Sequence, residues 1–150
     1  MPNQTLTFDH IGLVVASIEA EAPGLAQLLR LTRWTERVDD VGLGVSVCFA
    51  TDPAGLVVEL IAPLGPDSPV ARAARTKRDC LNQVAYRTDD MAGTRSRFEA
   101  GGAVVLSEPK PALAFAGAAV QFFLMPQGFI VELIGAPAFV HQFVRDTPPA

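Results

Sequence analysis

Apolar residues along this chain fall into short runs, and one of these runs occurs twice. The run GLVVELI at residues 55–61 recurs as GFIVELI at residues 128–134, which is 73 positions later. The same offset carries the segment DHIG at 9–12 onto NQVA at 82–85, and Phe49 onto Phe122. Because both ends of the segment keep one register, the pattern indicates a duplicated module of about 73 residues.

Each copy shows the same order of alternating and helical patterns, which predicts β-α-β-β-β twice. In the second copy Asp90 is a candidate N-cap, and Gly101-Gly102 ends the helix. In the first copy Pro23-Gly24 either interrupts the helix or places Pro23 in its first turn. The predicted strands are residues 7–15, 33–37, 44–50 and 56–61 in the first copy, and 82–87, 103–106, 119–124 and 129–134 in the second.

The segment between the copies predicts a connector with a short helix of its own. Ser68-Pro69 is typical of an N-cap followed by proline at the first helical position, and this helix would run to about Lys77. We therefore expect a single domain over residues 1–150. Module one covers about 5–63, the connector about 64–79, module two about 80–136, and the C-terminal tail 137–150.

Composition narrows the classes of protein that the chain can belong to. Hydrophobic residues make up 49% and charged residues 19%, which favours a compact soluble fold over disorder. The formal net charge of −4 gives no indication of nucleic-acid binding, and the apolar runs are too short to span a membrane. The N-terminal residues do not resemble a signal peptide, so we interpret Cys48 and Cys80 as free thiols of a cytoplasmic protein.

Two glutamates stand inside runs that are apolar on both faces. Glu59 and Glu132 occupy equivalent places in the two copies, and an ionised carboxylate there is unfavourable unless something pairs with it. A single glutamate of this kind could simply meet solvent at a mouth of the sheet. Two at equivalent positions favour a shared function.

A histidine and a glutamine begin the two copies at equivalent positions. His10 and Gln83 lie beside the small residues Gly12 and Ala85 on the same strand faces, which leaves space next to both polar groups. A lone strand histidine is often structural. Together with the two glutamates, however, the set offers one nitrogen and three oxygens. We predict that His10, Glu59, Gln83 and Glu132 bind one divalent ion, which could be Co, Ni, Zn, Mn or Mg.

Two further features have a surface interpretation and a functional one. His141 lies in the tail among apolar residues, and we interpret it as a surface histidine rather than a ligand. Four cations around the connector helix would form a solvated face, or bind phosphate or carboxylate. These cations are Arg72, Arg75, Lys77 and Arg78.

On these motifs the chain resembles the vicinal oxygen chelate superfamily, up to about Gly135. The matching segments are DHIG at 9–12, VEL at 58–60, NQVAY at 82–86 and VEL at 131–133. The resemblance implies an α+β fold in which two tandem βαβββ modules form a curved, largely antiparallel sheet around a central pocket. It also implies metal ligands on the first and last strand of each module. We expect a small-molecule substrate, no nucleic-acid or membrane partner, and a homodimer.

Within that superfamily, residues 62–71 and 107–111 look like methylmalonyl-CoA epimerases. Such epimerases usually have histidine where Gln83 stands, and a glutamate base on a middle strand where Ser46 aligns. The ligand set is instead similar to a module-swapped glyoxalase I. The resemblance implies a metal-dependent isomerase or epimerase that transfers a proton next to a carbonyl, possibly of an acyl-CoA thioester, with Glu59 or Glu132 as the base. A glyoxalase I-like lyase and a metal-free antibiotic-binding protein are the alternatives.

Overall fold

The computed structural model describes residues 5–149, so the first four residues of the N-terminal segment and Ala150 of the predicted tail lie outside it. The described chain is a mixed α+β fold with ten strands, three α-helices and one 3₁₀ helix at Leu113–Phe115. The strands are β1 (Leu6–Val14), β2 (Arg33–Trp34), β3 (Val38–Asp40), β4 (Val45–Thr51), β5 (Val57–Pro63), β6 (Leu81–Thr88), β7 (Val104–Val105), β8 (Lys110–Pro111), β9 (Ala119–Leu124) and β10 (Ile130–Ile134). The helices are α1 (Ile18–Leu29), α2 (Ala71–Thr76) and α3 (Met91–Ala100). Among the described residues, no helix is both long and apolar enough to cross a membrane.

The chain divides into two compact units that do not coincide with the two sequence copies at their ends. The first unit comprises His10–Asn82 together with residues 140–149. The second unit comprises residues 5–9 together with Gln83–Phe139. The tail after Phe139 therefore belongs to the first unit, although it follows the second copy along the chain.

In the first unit, strands β2, β4, β5 and the part of β1 from His10 onward are hydrogen-bonded in that order, and β3 also pairs with β4. The ladder between β4 and β5 is antiparallel, whereas that between β5 and β1 is parallel. One face of these strands joins α1 in an apolar core. The core includes the buried residues Ile18, Ala22, Trp34, Cys48, Ala50, Val58, Leu60 and Ala62.

In the second unit, β6 pairs in parallel with β10, and β10 pairs antiparallel with β9. The short strands β7 and β8 both pair with β9. The buried residues Phe123, Val131 and Leu133 form the core, and Phe98 of α3 meets Phe123 edge-on at a ring distance of 5.3 Å. The second unit thus repeats the strand arrangement of the first.

The duplication is confirmed at the level of individual residue pairs. Gly12 stands beside Glu59 in the parallel ladder of the first unit, and Ala85 stands beside Glu132 in that of the second. Across the antiparallel ladders, Phe49 faces Glu59 and Phe122 faces Glu132. Each glutamate therefore has a small residue on one neighbouring strand and a phenylalanine on the other.

Each unit has one short strand more than the sequence pattern predicts, namely β3 and β8. These strands have three and two residues, which is too short for an alternating pattern to be recognised. The predicted strand over residues 33–37 forms only at Arg33–Trp34, and β3 follows it as a separate strand. The order βαβββ therefore holds, with one additional edge pairing in each copy.

The helix starts differ from the sequence prediction in two places. Helix α1 continues through Pro23, which lies beyond the first turn because Ser17 caps the helix and accepts a hydrogen bond from the Ala20 N–H. Helix α2 begins at Ala71 rather than at Pro69, since residues 69 and 70 form a turn. The predicted end of the second helix is confirmed, with Asp90 as the N-cap of α3 and Gly101 at its C-terminus.

Candidate metal centre

A histidine and a carboxylate are buried side by side in the first unit. The Nε2 atom of His10 on β1 lies 3.4 Å from the Oε1 atom of Glu59 on β5, and their side chains are 0% and 7% exposed. Gly12, the neighbour of Glu59 in the ladder, has no side chain to fill the space beside it. Two groups that water normally solvates are thus held together inside an apolar sheet, which requires mutual pairing or a ligand.

Aromatic contacts hold the His10 ring in place. The ring of Phe49 on β4 meets the His10 imidazole edge-on, with a centroid distance of 5.0 Å and an interplanar angle of 80°. Since Phe49 also faces Glu59 across the ladder, it borders both polar groups. A rigid aromatic wall of this kind limits the rotamers that His10 can adopt.

A second pair of polar side chains occupies the equivalent position in the second unit. The Nε2 amide of Gln83 on β6 donates a hydrogen bond of 3.1 Å to the Oε1 atom of Glu132 on β10. Both residues are buried, at 5% and 4% exposure. The amide donates to the carboxylate, and this stabilises its ionised form.

The donor atoms of the first unit suit a divalent ion. Two ligands of a four-coordinate ion with bonds of about 2.1 Å lie about 3.4 Å apart in tetrahedral geometry. The separation between His10 and Glu59 has this value. An imidazole nitrogen next to a carboxylate oxygen is also a donor set that first-row ions such as Zn, Co and Ni accept. The residues present therefore fit a metal ion.

The structure differs from the sequence interpretation of His141 as a surface residue. This side chain is half-buried, and its ring lies over Phe49 with a centroid distance of 4.2 Å. Its centroid is 6.3 Å from that of His10. No sequence spacing relates His141 to either copy, so only the return of the tail to the first unit reveals this position.

The structure contradicts the expectation that Ser46 stands where a base could face the metal site. Ser46 lies opposite Ala62, which belongs to the apolar core on the α1 side of the strands. Its hydroxyl donates a 2.6 Å hydrogen bond to Asp39 on β3. Because side chains alternate along β4, Val47 and Phe49 share the face of Glu59 instead. Ser46 therefore lies on the face of β4 opposite to that of Glu59.

Cys48 lies on the apolar face of β4, beside the candidate site but turned away from it. Burial raises the pKa of its thiol to about 12, and the charge of Glu59 adds to the rise. Both cysteines are free, as the sequence predicts, and Cys80 is only partly buried. Cys48 is consequently a protonated, unreactive core residue at neutral pH.

Two of the four cations around α2, Arg72 and Arg78, border an open cavity of the first unit. The cavity has a volume of about 460 Å³ and is lined in part by Arg72, Thr76, Arg78 and Asn82. Arginine side chains with a neighbouring hydroxyl and amide are typical of sites that bind phosphate or carboxylate. Asp79 also lines the cavity, so its charge is mixed rather than purely basic.

The family model that describes the glyoxalase/bleomycin resistance protein/dioxygenase superfamily matches residues 9–122 of this chain. The match covers more than half of the chain. The protein belongs to this superfamily. Members of the superfamily commonly bind a divalent metal ion, and this agrees with the donor atoms described above. No curated protein matches the sequence.

Several solved structures share the fold. A hypothetical protein from Bacillus halodurans C-125 is 24% identical, with 87% of this chain and 94% of that chain covered and a TM-score of 0.74. Methylmalonyl-CoA epimerase from Mycobacterium tuberculosis is 20% identical, with coverages of 85% and 86% and a TM-score of 0.69. A variant of the Streptomyces coelicolor epimerase in complex with 2-nitronate-propionyl-CoA is 21% identical, with coverages of 92% and 99% and a TM-score of 0.71. At these identities the likeness shows the fold alone.

Proposed function

We propose that this protein is a metal-dependent isomerase or epimerase that moves a proton next to the carbonyl of a small molecule. The buried pair of His10 and Glu59 is the observation that carries the proposal. Such a pair has little structural purpose in an apolar sheet, where two hydrophobic residues would pack at least as well. Membership of a superfamily that commonly binds divalent metals supports the same reading.

In this proposal His10 and Glu59 hold the ion through one nitrogen and one carboxylate oxygen. The prediction that Gln83 and Glu132 complete the ligand set stays a prediction, and variants of each residue test it. A divalent ion supplies Lewis acidity to a substrate oxygen when it is bound. The chain itself supplies the base, since an ionised glutamate can accept a proton from the carbon next to a carbonyl and return it.

The different partners of the two glutamates support a division of their roles. Its Oε1 atom accepts the Gln83 amide hydrogen, which fixes the carboxylate in one orientation. Glu59 lies against the imidazole of His10, a position that suits a ligand. In this proposal Glu132 transfers the proton and Glu59 binds the metal.

Acyl-CoA thioesters are the substrate class that we propose. Their α-protons are acidified by the thioester, and their phosphates require a basic partner. The cavity lined by Arg72 and Arg78 could hold such phosphates. Two epimerases that act on or bind acyl-CoA compounds share the fold, which makes this class a natural first choice. A cytoplasmic homodimer remains the expected form of the protein.

Metal analysis of the purified protein tests the proposal directly. We expect about one divalent ion per chain after loading with Co, Ni, Zn or Mn, and loss of that ion in the Glu59→Ala, Glu132→Ala double variant. Glu19→Gln is the matched control, because Glu19 is an exposed carboxylate in the first turn of α1. If no ion is retained at saturating metal, the proposal is wrong and the metal-free binding protein becomes the better reading.

Activity assays then separate the two enzyme classes. Deuterium incorporation at the α-carbon of methylmalonyl-CoA in D₂O reports proton transfer even when no net epimerisation occurs. The hemithioacetal of methylglyoxal and glutathione reports the glyoxalase I-like alternative. Exchange on the thioester, abolished in Glu132→Gln, supports the proposal. Turnover of the hemithioacetal alone would contradict it in favour of the lyase.

A further inference from the structure

The C-terminal tail brings a second imidazole, that of His141, next to the imidazole of His10. The tail is held in place by two backbone hydrogen bonds between Trp34 and Arg145, with N···O distances of 2.8 and 3.0 Å. Arg33 also donates a side-chain hydrogen bond to the carbonyl of Phe143. Because both anchors belong to the first unit, the tail residues 140–149 have a defined path there.

This path places the ring of His141 next to that of His10, with 6.3 Å between the two centroids. Its ring packs over that of Phe49 with a centroid distance of 4.2 Å and also contacts the ring of Phe143 at 5.8 Å. A ligand nitrogen of His141 lies within 4.8 Å of one of His10. Two nitrogen ligands of a four-coordinate ion lie about 3.4 Å apart, so a small side-chain adjustment closes the difference.

We infer that His141 is a further ligand of the divalent ion, which makes the donor set of the first unit two imidazoles and one carboxylate. This inference rests on the proposed function. Two nitrogens and one carboxylate oxygen favour a borderline transition ion such as Zn, Co or Ni over Mg, which prefers an all-oxygen shell. The tail thereby selects the class of metal, and the repeated strands alone do not.

The alternative role of His141 is purely structural, as an aromatic ring stacked on Phe49. Two substitutions separate the roles. His141→Phe keeps an aromatic ring over Phe49 and removes both nitrogens, whereas Gln142→Ala changes an exposed neighbour in the tail and serves as the control. Thermal unfolding of the metal-free forms shows whether either change disturbs the fold.

The experiment is a titration of the metal-free full chain with Zn and with Co, together with the visible spectrum of bound Co. Loss of a direct ligand should weaken binding at least as much as loss of a ligand's hydrogen-bond partner, which costs about 10–100-fold. We expect His141→Phe to weaken Zn and Co binding by at least about tenfold and to change the Co spectrum. Mg binding should change little, and Gln142→Ala should resemble the parent.

Two results would overturn the inference, and they are distinguishable from failure of the proposed function. If the parent binds Zn and Glu59→Ala does not, but His141→Phe binds as the parent does with an unchanged Co spectrum, His141 is structural and the proposed function stands. If the parent itself binds no metal, both fail. A His141→Phe variant that unfolds before metal is added would be replaced by His141→Gln, judged by the same affinities and spectra.

Discussion

The amide of Gln83 donates a hydrogen bond to Glu132, at the position equivalent to the contact between His10 and Glu59. The two copies thus use the same strand positions to pair a carboxylate with a nitrogen group. In one copy that group is an imidazole and in the other it is a neutral amide. The Gln83 amide holds the Glu132 carboxylate through a hydrogen bond. As a metal ligand, however, a neutral amide binds first-row ions more weakly than an imidazole does.

This difference predicts the effect of replacing Gln83. Gln83→His should tighten binding of Co, Ni or Zn by about tenfold, equivalent to about 1.4 kcal/mol, if residue 83 contacts the ion. Gln83→Leu has similar volume and no donor, so it should weaken binding. Calorimetric titration of the three proteins decides the matter. Equal affinities would show that Gln83 acts only through Glu132.

The register of β4 predicts where a new base would work. Val47→Glu places a carboxylate on the face of Glu59, whereas Ser46→Glu places it on the apolar face beside Asp39. General-base catalysis typically contributes about 10²–10⁴-fold, so Val47→Glu should raise deuterium incorporation into methylmalonyl-CoA measurably. Ser46→Glu should not, and it should lower the free energy of unfolding because its charge is buried next to another carboxylate. The assignment of faces fails if Ser46→Glu is the more active variant.

The raised pKa of Cys48 predicts that the free energy of unfolding falls at alkaline pH. Its folded pKa of about 12 lies above the ordinary value of 9.0, so the native state keeps the proton that the unfolded state loses. The stability from the protonated thiol is fully present below about pH 9 and is lost as the pH rises towards 12, by at most about 1.4 kcal/mol per pH unit.

Comparison with Cys48→Ala isolates this effect, because other groups titrate equally in both proteins. The difference in unfolding free energy between the parent and Cys48→Ala should therefore shrink between pH 9 and pH 11. If the difference in unfolding free energy between the parent and Cys48→Ala did not change with pH, the Cys48 thiol would not be desolvated in the native protein.

Burial also predicts how the two thiols react. At neutral pH a thiol reagent should modify Cys80 in the native protein and leave Cys48 unmodified until the protein unfolds.

The cavity beside α2 predicts how charge affects ligand binding. Arg72→Ala with Arg78→Ala should weaken binding of CoA by about tenfold or more, since hydrogen bonds to a charged partner contribute about 1.5–3 kcal/mol each. Binding of an acyl-pantetheine, which lacks the nucleotide phosphates, should stay unchanged. Arg95→Ala, on α3 of the second unit, is the matched control. An equal loss for both ligands would point to a general structural effect.

The parts of this protein that could be predicted from sequence are those that repeat. The residues His10 and Glu59 are as far apart in sequence as Gln83 and Glu132 are. This equal spacing located two polar pairs on equivalent strands, because both ends of the module keep the same register in the two copies. The repeated pattern predicted two βαβββ modules, and the motifs within it carried the resemblance to the superfamily; both predictions are confirmed. The ligand set itself remains a prediction.

What could not be predicted depends on contacts that have no periodic signal. The face of Ser46 depended on the register of β4 against β5, and an alignment error of one residue moves a side chain to the opposite side of a sheet. His141 lies in a segment without secondary structure, so neither a period of 2 nor one of 3.6 marks its neighbours. Its place follows from a backbone pairing between Trp34 and Arg145 that links residues over a hundred positions apart.

The exchange of chain ends between the two units limits how the protein can be divided. A break within the connector would leave residues 5–9 on the N-terminal fragment, although they pack with Gln83–Phe139 on the other fragment. It would also leave residues 140–149 on the C-terminal fragment, although they pack with His10–Asn82. Neither fragment would contain one complete unit, despite the clean duplication in the sequence. We expect fragments cut near residue 78 to be unfolded alone and to recover structure only when mixed, because each fragment carries a segment that the other needs to complete its unit. A far-ultraviolet circular dichroism spectrum of the mixture that equals the sum of the separate fragments would disprove this.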